Sequence, residues 1–142
     1  SDGNEFNMFC TAFIGILDLN TGHHDYCNAG HNAPLIIEDK WNVTEIEVIP
    51  NLPLGLFEGF QYEGQEMEIN KQMMLYMFTD GVTEAENSAH ELFGDDRLTT
   101  LLKLKASLNP AELINETFTH VNQHANGAEQ SDDITVMCFK YC

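Results

Sequence analysis

The run Met73-Met74-Leu75-Tyr76-Met77-Phe78, followed at once by Thr79-Asp80-Gly81, limits the fold of this 142-residue chain more than any other stretch. It is too short to cross a membrane and too rich in strand-forming residues to be a loop, so it reads as a buried strand. The aspartate then sits where a core strand emerges. A carboxylate there needs a cation, a set of backbone N–H groups or a metal ion, because burying an unpaired charge is costly. Glycine at position 81 lets the chain turn sharply and lets another group approach its backbone closely.

The remaining chain arranges itself around that strand. Met8 to Leu19 reads as a strand, Asp18 to Gly22 as a turn, and His23 to Asn28 as the returning strand of a hairpin. Pro34 to Ile37 starts a third strand and Val43 to Ile49 a fourth. Pro50 to Gly59 is a loop with Leu54, Leu56 and Phe57 expected inward. Tyr62 to Ile69, with Glu63, Glu66 and Glu68, reads as an edge strand with one wet face. The period then changes. Asp95 is placed to cap a helix carrying Leu98, Leu101 and Leu102. Asn109-Pro110-Ala111-Glu112 is a capping-box helix start, Leu113, Ile114, Phe118 and Val121 its apolar stripe, and Asn126-Gly127 its stop. Ile134 to Phe139 is the last strand. Strands, then two helices, then a strand predict an antiparallel α+β layer fold in a single domain over 8–142. Ser1 to Asn7 is polar and reads as a disordered end or an expression remnant.

Charge narrows the function classes. Six basic residues stand against 23 acids, a formal net charge of −17. That excludes a nucleic-acid surface or an anionic-membrane surface, which require clustered cations, and it is compatible with binding cations. Cys10, Cys27, Cys138 and Cys142 show no zinc spacing, and they read as free thiols of a reduced, cytoplasmic protein whose parent chain could carry an anchor upstream. No D-x-D-x-D-G calcium loop is present.

Two places put aspartate at the end of a core strand: Asp80, and the pair Asp132-Asp133. If those strands are neighbours, the carboxylates converge into an oxygen-only ligand set that suits Mg²⁺ or Mn²⁺. The spacing alone fits a common Asp-Gly turn and a solvated Asp-Asp turn equally well. His23-His24 reads as a solvated turn edge, Asn28, Gly30 and His31 as a tight turn, and Glu84 as a cap.

Taken in order, six segments resemble the signature run of the SpoIIE/RsbU-type serine phosphatases, the bacterial branch of the metal-dependent PP2C-like (PPM) protein phosphatases. They are Phe9-Cys10-Thr11-Ala12-Phe13, Asn28-Ala29-Gly30-His31-Asn32-Ala33-Pro34, Leu52-Pro53-Leu54-Gly55, Phe78-Thr79-Asp80-Gly81-Val82-Thr83-Glu84-Ala85, Glu91-Leu92-Phe93-Gly94-Asp95-Asp96-Arg97-Leu98 and Asp132-Asp133-Ile134-Thr135. The resemblance implies a PP2C-like antiparallel β-sandwich flanked by helices. It implies a site for two ions, Mn²⁺ or Mg²⁺, with Asp80 and Asp132 as metal ligands and Asp133 and Gly81 in support. The implied reaction is hydrolysis of phosphoserine or phosphothreonine by a metal-activated water, on a regulatory protein of the anti-sigma-factor-antagonist type.

The family opens with a strand-borne G-D-x-x-D-like segment, and Asp2-Gly3 has no strand before it. The resemblance therefore covers a partial domain whose N-terminal strands are missing and which turns over little by itself. An exposed sheet edge would invite a homodimer. The alternative is a non-catalytic interaction module that retains the phosphatase fold.

Overall fold

The computed structural model describes residues 8–142, so the expectation for Ser1 to Asn7 lies outside the described residues. In chain order the elements are β1 (Ala12–Leu17), β2 (His23–Ala29), β3 (Leu35–Ile37), β4 (Val43–Glu45), β5 (Gln65–Glu68), β6 (Met74–Phe78), α1 (Asp80–Thr83), α2 (Gly94–Leu104), α3 (Pro110–Ala125) and β7 (Val136–Lys140). They fall into two compact units, one from residues 8–33 with Glu47–Asn70, the other from Pro34–Ile46 with Lys71–Cys142. All strand pairs are antiparallel, and with the helices they make the α+β class that the sequence predicts.

The first unit is a three-stranded sheet in the order β1-β2-β5. Its hairpin closes as expected: the Asp18 N–H donates to the His23 carbonyl at 2.8 Å, and the Asp18 carboxylate accepts the Asn20 N–H at 2.8 Å. β5 is an edge strand with Glu66 and Glu68 exposed. Alternation along β2 puts His24, Tyr26 and Asn28 on the buried face and His23 and Asp25 on the other. The His24 and Tyr26 rings stack with centroids 5.2 Å apart, and Phe13 lies 5.7 Å from Tyr26. Gly15 makes room for this stack, since a methyl group there would fall 2.3 Å from His24 Nε2. His24 is therefore buried, not a solvated turn residue, and its Nδ1 has no hydrogen-bond partner among the described residues. Burial lowers its pKa from 6.5. Leu54, Leu56 and Phe57 are exposed rather than tucked inward; the loop is held instead by the Cys10–Leu54 bridge and by Asn51.

The second unit is a four-stranded sheet in the order β4-β3-β6-β7. β6 runs inside it, and Met74, Leu75 and Tyr76 are each 2 % exposed or less. Met74, Tyr76 and Phe78 join Leu98, Leu102, Leu113 and Val121 in one core under α2 and α3. β4 stops at Glu45 rather than Ile49, because the chain passes to the first unit at Glu47. α3 begins with the full capping box between Asn109 and Glu112 and ends at Asn126 in the left-handed region, φ 47°. Asp95 does not cap α2. It lies in the first turn, where its charge suits the helix dipole, and Phe93 occupies the N-cap.

The buried stripe of α3 is Leu113, Thr117 and Val121, with Ile114 and Phe118 only half-buried. A polar residue holds the centre because Tyr76 reaches it. Thr117 Oγ1 donates to the Leu113 carbonyl at 3.0 Å, which leaves the Tyr76 hydroxyl as donor in their 2.9 Å contact. Burial raises the Tyr76 pKa, so the phenol stays protonated. Thr117→Val strands that hydroxyl and is expected to cost about 1–3 kcal/mol, most of it recovered in the Tyr76→Phe/Thr117→Val double variant. Denaturant unfolding of the four proteins measures the coupling, and additive losses would contradict the pairing.

His24 gives a pH dependence whose sign is fixed. A histidine with a folded pKa below its unfolded 6.5 contributes stability above that value and loses it as pH falls through the folded pKa. The solvent-facing His23 runs the other way: the hydrogen bonds it donates to Glu68 and Asp25 raise its pKa, so its contribution is present below 6.5 and lost as pH rises through the raised folded pKa. His24→Phe removes the first effect and keeps the ring stack. Its melting temperature relative to wild type is expected to rise as pH falls from about 7.5 to about 5.5, and a constant difference would refute this.

Candidate functional site

β6 and β7 are neighbours, with Phe78 opposite Val136 at the end where Asp80 leaves one strand and Asp132-Asp133 enter the other. The join continues past the strands. The Thr79 N–H donates to the Thr135 carbonyl at 3.0 Å, the Thr135 N–H donates to Thr79 Oγ1 at 3.0 Å, and Thr79 Oγ1 donates to the Asp133 carbonyl at 3.2 Å. Those bonds occupy the hydroxyl, so Thr79 stands at the N-cap of α1 without making a side-chain cap. The sequence predicts only a turn at Gly81; the chain forms a single helical turn there, closed by the Glu84 N–H on the Asp80 carbonyl.

Gly81 is buried against the second aspartate segment. A methyl group on it would lie 2.1 Å from the Asp133 carbonyl oxygen and 3.2 Å from Ile134 Cγ1. Real Cβ atoms do not come that close, so only glycine allows Asp80 and Asp133 to stand on backbones in contact. Asp80, Asp132 and Asp133 are all exposed. The Asp132 carboxylate accepts the Asp133 N–H at 2.7 Å, and Gln130 Nε2 donates to the Asp132 carbonyl at 2.7 Å, which fixes the approach to β7. A narrow cleft of about 110 Å³ flanks Gly81, bordered by Glu86, Glu129 and Ile134. The donor atoms here are oxygens of carboxylates and carbonyls, the set that hard divalent cations take.

Two other residues singled out in the sequence serve their own backbone turns. Asn28 is buried and closes its own turn, donating to the His31 carbonyl at 2.8 Å and accepting the His31 N–H at 3.1 Å. Glu84 is the C-cap residue of α1. One grouping is not visible in the sequence. His23, Asp25 and Glu66 bring ligand-type atoms within 4.8 Å of one another on the open face of the first sheet. His23 Nδ1 is 2.7 Å from Glu68, and its Nε2 is 3.1 Å from Asp25 and 3.4 Å from Glu66. The alternation of His23 with Asp25 and of Glu66 with Glu68 was the available signal, but it needs the β2–β5 register to bring them together.

No helix among the described residues is long and apolar enough to cross a membrane. Comparison with known proteins bears on the fold and the family. Protein IcfG of Synechocystis sp. is 28% identical over 137 residues, 96% of this chain and 21% of that protein. Phosphoserine phosphatase RsbP of Bacillus subtilis is 26% identical over 129 residues, 91% of this chain and 30% of that protein. The chain thus spans less than a third of either curated relative. The manganese-soaked phosphatase domain of the cell-fate determinant SpoIIE from Bacillus subtilis superposes with a TM-score of 0.69 at 18% identity, covering 92% of this chain and 56% of that one. Its fold is shared here, in two antiparallel sheets with helices of the PP2C-like kind. The family profile for Stage II sporulation protein E (SpoIIE) matches residues 1–141, and the chain belongs to that family.

Proposed function

We propose that this chain carries part of the metal site of a protein serine/threonine phosphatase that acts on a phosphorylated regulatory protein of the anti-sigma-factor-antagonist kind. The supporting observation is the contact of Gly81 with the Asp133 backbone, which holds two aspartate segments distant in sequence at one end of the β6–β7 pair. In this reading Asp80 and Asp132 are metal ligands, and Asp133 orients a ligand or water beside them. Mn²⁺ or Mg²⁺ would supply Lewis acidity toward the phosphoryl group and its attacking water. The chain's own part is positional. Thr79 ties the two segments through its hydroxyl, and Gly81 keeps them from separating. The exposed carboxylates leave room for a phosphorylated side chain to reach the site from solvent.

The test uses the full-length parent protein with Mn²⁺ and a phosphoserine peptide. Asp80→Asn is expected to lower hydrolysis by more than about 100-fold, beyond the ~10–100-fold loss typical of outer-shell partners. Equal rates in variant and wild type would remove the assignment. An inactive wild type that still binds the regulatory protein would favour a non-catalytic interaction module.

Gly81→Ala tests the geometry without replacing a ligand. The added methyl must push Asp133 away, at a cost of about 1–3 kcal/mol from overpacking. Mn²⁺ affinity, read by electron paramagnetic resonance, is expected to fall together with stability. Unchanged affinity would mean that the contact does not serve the site.

A further inference from the structure

The open face of the first sheet carries a donor set unlike that of Asp80 and Asp132. β2 and β5 pair with His23 opposite Glu68 and Asp25 opposite Glu66. Side chains alternate across a strand, so these four residues share the solvent face while His24 and Met67 turn to the other. Like charges placed directly opposite each other destabilise an antiparallel pair. Asp25 and Glu66 are such a pair. Their register is fixed on both sides: Tyr26 pairs with Gln65, and the Ile69 N–H donates to the Gly22 carbonyl at 2.8 Å. A cation between the two carboxylates turns their repulsion into attraction.

His23 is aimed at that place. Its Nε2 lies 3.1 Å from Asp25 Oδ1 and 3.4 Å from Glu66 Oε2. A tetrahedral zinc ion with bonds of about 2.0–2.1 Å to nitrogen and oxygen sets neighbouring donors ~3.3–3.4 Å apart, so both separations are close to a ligand edge. His23, Asp25 and Glu66 each bring one donor atom within 4.8 Å of the others, the one grouping of this kind among the described residues. The second ring nitrogen completes the pattern. Nδ1 is 2.7 Å from Glu68 Oε1. With the Nδ1 proton on Glu68, the neutral ring turns its Nε2 lone pair toward Asp25 and Glu66. Metal-bound histidines almost always donate their remaining N–H to a group such as a carboxylate, which fixes the tautomer and raises the basicity of the ligating nitrogen. His90 and His120 pair instead with Glu86 and Glu116, each four residues away on its own local segment.

We propose that His23, Asp25 and Glu66 bind a zinc-class divalent ion, with Glu68 orienting His23 from behind and water completing the coordination. The imidazole sets the class: nitrogen together with carboxylates suits Zn²⁺, Co²⁺ or Ni²⁺, whereas Mg²⁺ and Ca²⁺ take oxygen ligands. The residues belong to the first unit, Asp80 and Asp132 to the second, and the proposal does not depend on the phosphatase reading. The ligands stand on paired strands, so little ordering remains to be lost on binding. Side-chain exposures of 35% for His23, 62% for Asp25 and 74% for Glu66 leave the ion an open approach. The consequence is mechanical. An ion held from both strands clips the edge strand β5 onto β2 and favours the folded chain by mass action.

The test is a Zn²⁺ titration of the 142-residue chain carrying Asp80→Asn and Asp132→Asn, which removes the other candidate ligands. Calorimetry is expected to show one Zn²⁺ per chain. The His23 Nε2 resonance should shift in imidazole nitrogen spectra, the melting temperature should rise, and millimolar Mg²⁺ should not displace the ion. Added to that background, His23→Gln and Glu66→Gln are each expected to weaken binding by more than about tenfold and to remove the melting shift, since a lost ligand costs at least as much as a lost outer-shell partner. Both side chains face solvent, so either variant carries the test if the other misfolds. Glu68→Gln, which touches no ion, should weaken binding by about tenfold while leaving one site per chain. No Zn²⁺ binding in the Asp80→Asn/Asp132→Asn chain, or full affinity in His23→Gln, would overturn the proposal. So would equal competition by Mg²⁺, which would show a plain cluster of acids.

Discussion

A threonine hydroxyl and a missing side chain hold the candidate site together. Thr79 Oγ1 accepts from one residue of the β7 approach and donates to another, while Gly81 lets the Asp133 carbonyl rest against its α-carbon. Each feature alone would tolerate some drift between the strands. Together they define the separation of the aspartate segments to within the tolerance of van der Waals contact, without any direct bond between the carboxylates. Of the three acids only Asp132 takes part in this bracing, by accepting the Asp133 N–H, and all three remain open to solvent.

The sequence showed this much because the relevant signals were local. The apolar run ending in Thr79-Asp80-Gly81 marked a buried strand with an acid at its end, and Asn109-Pro110 with Glu112 marked the helix start, since cap chemistry is encoded within four residues. That β6 and β7 adjoin was a condition the sequence could state but not decide, as was the Gly81 contact. Asp95 is a plausible cap by residue type, yet the N-cap is Phe93, two residues earlier. His24 looked like a turn residue beside His23 because nothing local shows that Gly15, on the partner strand, leaves a slot for its ring. Thr117 was passed over in the α3 stripe because its partner, Tyr76, is 41 residues away. For His24 and Thr117 a distant residue set the environment.

The distribution of charge divides the surface into regions of different use. The acidic excess is so large that the few cations matter by position more than by number. Two are turned toward helical or loop acids, and two, Lys40 and Lys103, border an open groove beside the β3–β4 hairpin. The candidate metal site at Asp80 lies at the other end of the same sheet. A divalent ion there would meet a negative surround that raises its local concentration.

The two units are threaded through one another along the polypeptide, since the chain passes from first to second at 33–34, back at 46–47, and again at 70–71. No single cut separates them. A ribosome releasing this chain in order would expose β1 and β2 well before β5 arrives to complete their sheet, and β3 and β4 would wait for β6 and β7. The first sheet therefore closes only when β5 emerges and the second only when β7 does, so the hairpins made early expose unpaired edges until those later partners arrive.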